Sequence, residues 1–263
     1  MKSVWGTLAV VGMSALGMGA CIGTTGSERV SFRAFAAGAV SAPDHQLAFV
    51  NGRGWNITLT KATLHVGALY LNRSVPVSGG QERACFLPGV YVAQVLEGAD
   101  IDALSTTLQP FPVAGDGTAD HAVTGEVWLT GGRIDEQEDR TTIAAVEGTA
   151  SKDGASMRFE GKITIGSNRL PAQTDPARPG ANPLCAARIV TPIPTDITPR
   201  EGGALVLRID PRAWFANVDL AELPPIASGS DLHRFADENT DQPSTNLYGG
   251  VRAAAGVYSF EMR

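Results

Sequence analysis

The side chains with the widest chemical reach in this 263-residue chain are four histidines and three clusters of acids. His45 and His121 each follow an aspartate, as Asp44-His45 and Asp120-His121, in segments that read as loops. His65 lies in a β-rich stretch beside Thr63 and Lys61, and His233 precedes the acidic run Asp237, Glu238 and Asp241. Imidazole suits copper and zinc, whereas carboxylates with the neutral oxygens of Asn239 and Asn246 suit calcium. If the protein holds a metal ion, the expected ligands are therefore His45, His65, His121, His233, Asp237, Glu238 and Asp241. No two histidines stand at ligand spacing, so such a site has to be assembled across loops. Asp116 with Asp120, Asp135-Glu136 with Glu138-Asp139, and Asp237-Glu238 with Asp241 all lack the ordered spacing of an EF-hand and read more simply as solvated turns.

Other chemistry is thinly represented. There is no G-x-S-x-G elbow, no phosphate-binding G-x-x-x-x-G-K and no H-E-x-x-H. Loop carboxylates leave room for acid–base hydrolysis of a polymer, but spacing along a chain does not give separation in space. Trp128 is the aromatic residue singled out for recognition. It shares a strand with Glu126, opposite Val127 and Leu129, so inward Val127 and Leu129 turn it outward. A sheet covered on both faces would bury it all the same.

These residues are carried by strands. Met157-Arg158-Phe159-Glu160-Gly161-Lys162-Ile163 alternates apolar or glycine with polar, the period of a strand with one wet face. It follows Thr141 to Ala150 across Asp153-Gly154, a hairpin signal. Between Asn56 and Leu71 the phase slips: Ile57 and Leu59 are odd, then Ala62, Leu64, Val66, Ala68 and Tyr70 are even. One extra residue near Thr60-Lys61, as a β-bulge or a change of sheet, turns the side chains over. Further strands are expected at Val30–Ala37, Gly89–Leu96, Thr124–Leu129, Ala204–Ile209 and Gly256–Met262, with a helical turn at Ile101–Leu104. A short helix is expected after Asp210-Pro211, burying Trp214, Val218 and Leu223. Ser167 to Glu201, with seven prolines, and the polar stretch Ala227 to Asn246 read as long loops. The expected fold is all-β, a β-sandwich or jelly-roll-like domain with long loops and one or two short helices.

The N-terminus reads as an address. Lys2 precedes the apolar stretch Val4 to Leu16, and Leu16-Gly17-Met18-Gly19-Ala20-Cys21 resembles the lipobox of bacterial lipoproteins. The resemblance covers the first 21 residues and departs from the usual pattern at Met18, where leucine is most frequent. It implies cleavage after residue 20, acylation of Cys21 and anchoring of the chain in a lipid bilayer, since two or more acyl chains hold stably. Ile22 after the cysteine, in place of aspartate, implies the outer membrane of a Gram-negative cell. The expected organisation is thus a signal peptide at 1–20, the lipidated cysteine and tether at 21–28, and one domain at 29–263. With Cys21 acylated, Cys85 and Cys185 remain as an even pair in an oxidising compartment and are expected to form a disulfide. In the chain-entropy model, a closed loop of that size stabilises by about 4–5 kcal/mol.

Composition closes off several classes. The net charge of −6 argues against a nucleic-acid surface, and losing Lys2 with the signal makes the mature chain more acidic still. Only 6% of the residues are aromatic, which counts against a carbohydrate site. The sequence therefore leads to an envelope lipoprotein that binds an envelope protein or small ligand, or supports structure, through its long loops. A metal-binding protein and an envelope-polymer hydrolase are the alternatives.

Overall fold

The alternating segment around Asp153-Gly154 folds as expected. In the computed structural model, which describes residues 27–75, 89–169 and 183–263, Asp153 and Gly154 both adopt positive φ (51° and 83°). Positive φ at both central residues makes a type I′ turn whose twist matches the strands it joins. The chain order is β1 (Arg29–Gly38), β2 (Leu47–Val50), β3 (Asn56–Val66), β4 (Ala68–Asn72), β5 (Tyr91–Val95), β6 (Ala99–Asp102), β7 (Gln109–Pro110) and β8 (Gly115–Thr118). It continues with β9 (Ala122–Trp128), β10 (Ala144–Lys152), β11 (Ala155–Ile163), α1 (Pro183–Arg188), β12 (Ile189–Ile197) and β13 (Ala204–Ile209). The chain ends with β14 (Leu232–Phe235), α2 (Gln242–Val251) and β15 (Tyr258–Met262). The expected signal segment, Cys21 and Cys85 lie outside the described residues.

The architecture is all-β with two short α-helices. One sheet runs β14-β11-β10-β3-β2, with β6 also paired to β3. The other runs β12-β9-β4-β5-β8-β1-β13-β15, with β7 also paired to β1. One contiguous hydrophobic cluster draws on both, from Ile57, Leu59, Val146 and Phe159 to Leu69, Val127, Leu205 and Leu207. The larger sheet curls until its terminal strands β12 and β15 meet. Phe260 of β15 then seats over Gly125 of β9, where any Cβ would collide with its ring.

The phase slip in β3 is real and has a partner. Pairing with β10 shifts register between Glu147 and Gly148, which face Lys61 and Leu59, so Thr60 is the extra residue of a bulge. Ile57 and Leu59, then Ala62, Leu64 and Val66, are all buried as a result. A second reversal follows at Gly67, where the chain leaves the smaller sheet and enters the larger as β4. A Cβ at Gly67 would run into the carbonyl oxygen of Thr130, so the crossing demands glycine. Beyond it Leu69 and Leu71 face the core, and Tyr70 faces out. The expectation that Tyr70 continues the inward face is thereby corrected.

Four further expectations are corrected. The proline-rich stretch from Ser167 to Glu201 is not loop throughout, since α1 and β12 occupy part of it. β12 is an edge strand, which tolerates Pro192 and Pro194 because an edge leaves donor positions unpaired. The polar stretch from Ala227 to Asn246 contains β14 and the start of α2, whose N-cap Asp241 accepts from the Ser244 amide at 2.7 Å. Ile101 and Asp102 belong to a strand, not to a helical turn. Asp210-Pro211 leads only into a 3-10 turn at Ala213–Phe215, although Trp214, Val218 and Leu223 are buried as expected.

Candidate ligand-binding site

The reversal at Gly67 decides what the outer face of the larger sheet carries. Across β4 and β9, Tyr70 pairs with Glu126 and Ala68 with Trp128; across β4 and β5, Asn72 pairs with Tyr91. Tyr70, Asn72, Tyr91, Glu126 and Trp128 thus share one face, opposite the core residues Leu69, Leu71 and Val127. The rings form a connected wall, with centroids 4.5 Å apart for Tyr70–Trp128 and 5.1 Å apart for Tyr70–Tyr91. Beneath it Glu126 and Asn72 are 0% exposed, whereas Tyr91 is 41% exposed.

Two neutral donors hold the Glu126 carboxylate. Asn72 Nδ2 donates to Oε1 at 2.9 Å and Trp128 Nε1 donates to Oε2 at 3.1 Å. The Tyr91 side chain lies near enough for its ionisation to be coupled to that of Glu126. Among the described residues no lysine or arginine forms an ion pair with it. Burial pushes the Glu126 pKa above the ordinary carboxylate value, against the opposing pull of those donors. Burial likewise raises Tyr70 and Tyr91, and the negative charge of Glu126 adds to both shifts. One acceptor in the cluster is left over, because Asn72 Oδ1, on the amide that donates to Glu126, has no hydrogen-bond partner among the described residues. Buried polar atoms are nearly always satisfied, so an orphan beside an unpaired carboxylate marks a place suited to a donor from outside.

A groove of about 510 Å³ opens beside Tyr91, between β5, β8 and β1. Its charged residues are Arg29, Asp116 and Glu201, with Gln94 and Thr118 adding neutral polar groups. The geometry offers a π-walled acceptor site with an adjoining channel. Among the described residues no second carboxylate is a partner of Glu126.

A second buried acid provides the contrast. Asp139 accepts from the Thr130 hydroxyl (3.0 Å), the Gly131 amide (3.0 Å) and the Thr141 amide (2.9 Å). Burial opposes its ionisation, but these hydrogen bonds override burial and bring its pKa down to about 2. Its oxygen also lies 3.6 Å from Arg188, whose side chain is fully buried. The Arg188 guanidinium donates to Ile165 O (2.8 and 2.7 Å), Arg133 O (3.0 Å) and Ile134 O (3.0 Å). Asp139 and Arg188 fasten the 130–141 loop to the core, and nearly every polar atom there is used.

Of the residues expected from sequence, Trp128 sits in the site, half-buried, with Val127 and Leu129 inward. The histidines take separate partners: His45 with Asp102 (3.5 Å), His65 with Asp100 (2.7 Å), His121 with Asp196 (3.5 Å) and His233 with the Leu223 carbonyl (2.6 Å). Asp237 accepts from the Thr164 amide and hydroxyl, both at 2.6 Å, and from buried Arg169 at 2.9 Å. Glu238 lines a shallow groove with it, and Asp241 caps α2. Among the described residues no three His, Cys, Asp or Glu side chains are grouped to hold a metal. Cys185 is buried in α1, its sulfur 3.7 Å from the Ile134 carbonyl oxygen, and Cys85 lies outside the described residues.

Sequence reasoning missed Tyr70, Asn72, Tyr91 and Glu126 as site residues. The signal for Glu126 was present, since it alternates with Trp128 on one strand. Tyr70 and Asn72 depend on the turnover at Gly67, which a two-residue period does not reveal. The chain matches no known family model, no curated protein and no solved structure.

Proposed function

We propose that this chain is an envelope lipoprotein, held in the outer membrane of a Gram-negative cell by an acylated Cys21, and that its domain is a non-enzymatic binding module. The ligand site is the outer face of the larger sheet, at Tyr70, Asn72, Tyr91, Glu126 and Trp128. The observation that carries the binding role is the buried Glu126 carboxylate, fixed by neutral donors under an aromatic wall and without a cationic partner among the described residues. A site preorganised in this way lowers the ordering cost of binding. The lipobox resemblance supports the address. A disulfide between Cys185 and Cys85 belongs to the same reading, because exported compartments oxidise paired thiols.

Two measurements on the full chain, expressed in a Gram-negative host, test the proposal. Labelled palmitate should enter the wild type and not Cys21→Ala, and the wild type should fractionate with the outer membrane; an unlabelled, soluble wild type overturns the address. The acylated chain, in detergent and carrying 5-fluorotryptophan, is then titrated with small cations, polyols and short peptides. A saturable shift of the Trp128 fluorine resonance, assigned by Trp128→Phe, supports the site. Saturable shifts confined to other tryptophans place binding elsewhere and overturn it.

A further inference from the structure

We infer that the ligand group seated on this patch is an organic cation, a primary ammonium or guanidinium on an apolar stem; this rests on the binding role proposed above. The argument begins with hydrogen-bond supply and demand. Glu126 offers acceptor oxygens, and Asn72 Oδ1, on a side chain that is 0% exposed, is a further acceptor with no donor among the described residues. Asn72 Nδ2 and Trp128 Nε1 are already committed to Glu126, which leaves the Tyr70 and Tyr91 hydroxyls, with one proton each, as the remaining side-chain donors of the cluster. A group that brings several donors answers this excess of acceptors, and ammonium and guanidinium bring donors only.

Charge points the same way. An ionised carboxylate held out of water is costly unless a cation accompanies it, and the described residues supply no ion pair. A ligand cation would complete it with charge-assisted hydrogen bonds. The rings of Tyr70, Tyr91 and Trp128 add π faces, which attract cations and pack against an alkyl stem. In the adjoining groove Asp116 and Glu201 outnumber Arg29, so the approach is net acidic. An anion finds the opposite at every step. A neutral polyol satisfies Asn72 Oδ1 and leaves the charge of Glu126 uncompensated. Tyr91, the most exposed of the three rings, lines that groove, so a cation approaching from it meets Tyr91 first.

The test uses the acylated, fluorotryptophan-labelled chain at neutral pH with four probes: n-butylammonium, n-butylguanidinium, n-butanol and methyl glucoside. Both cations should shift Trp128 saturably, with Kd at least about tenfold below either neutral probe. Glu126→Gln should remove about tenfold or more of that preference, and Asn72→Ser should remove part of it. Saturation by methyl glucoside or butanol with no response to the cations overturns the inference and leaves the binding role standing. Silence of Trp128 to all four probes overturns both. Equal, non-saturating shifts from all probes are a solvent effect and also overturn both. If Glu126→Gln does not fold, the wild-type ranking of the four probes decides.

Discussion

Asp139 and Glu126 are both acids taken largely out of water, and they are treated in opposite ways. Asp139 accepts from two backbone amides and a hydroxyl and lies beside a buried guanidinium, and its pKa falls to about 2. Glu126 accepts from two neutral side chains, has no ion pair among the described residues, and its pKa rises. The first is saturated and belongs to the scaffold. The second is constrained in position but has no ion pair among the described residues, and the proposed binding role rests on that difference.

The largest expected effect tests the saturated side of that contrast. Arg188→Met strands Asp139 and leaves the Ile165, Arg133 and Ile134 carbonyls without their donor. It should cost about 3–5 kcal/mol in denaturant unfolding. A loss under about 1 kcal/mol would mean that the anchor is dispensable. Asp139→Asn comes next. A depressed native pKa contributes stability above the ordinary carboxylate value and loses it as pH falls through about 2. The substitution should therefore cost about 2 kcal/mol at neutral pH, a penalty that shrinks on acidification towards the native pKa.

Glu126→Gln should show the opposite slope. A raised native pKa contributes stability below the unfolded value and loses it as pH rises through the native one. The wild type should thus gain on Glu126→Gln under acid conditions and fall back towards neutrality. Parallel slopes for the two substitutions in parallel pH series of unfolding would break the comparison. The smallest effect concerns Asp241. As the N-cap of α2 it should lose about 1 kcal/mol on replacement by alanine. Calcium, zinc and copper should leave the melting temperature of that variant and of the wild type equally unchanged. A metal-dependent rise confined to the wild type would restore Asp241 as a ligand.

What the sequence made legible was whatever depends on local period and turn chemistry. The hairpin at Asp153-Gly154, the bulge at Thr60 and the inward Val127 and Leu129 all follow from alternation, because a slip of one residue exchanges the faces of a strand. Edge strand β12 was obscured by Pro192 and Pro194, which signal loop unless the strand is known to lie at an edge. Helix α2 hid in a polar stretch because its buried residues, Leu247, Tyr248 and Val251, lie beyond the acidic run that drew attention. The site was half legible. Trp128 could be assigned to the outer face from its own strand, but Tyr70, Asn72 and Tyr91 come from two other strands. Their meeting depends on the sheet crossing at Gly67, a packing event that no local pattern encodes.

The most direct test of the central claim is the carboxyl titration of Glu126 by carbon NMR, in the presence and absence of n-butylammonium. Glu126 should titrate above the ordinary carboxylate range without the cation and at lower pH with it, because a cation that binds the ionised form must pull the proton off. A Glu126 that titrates at or below the ordinary value, and does not move when the cation is added, would contradict the account.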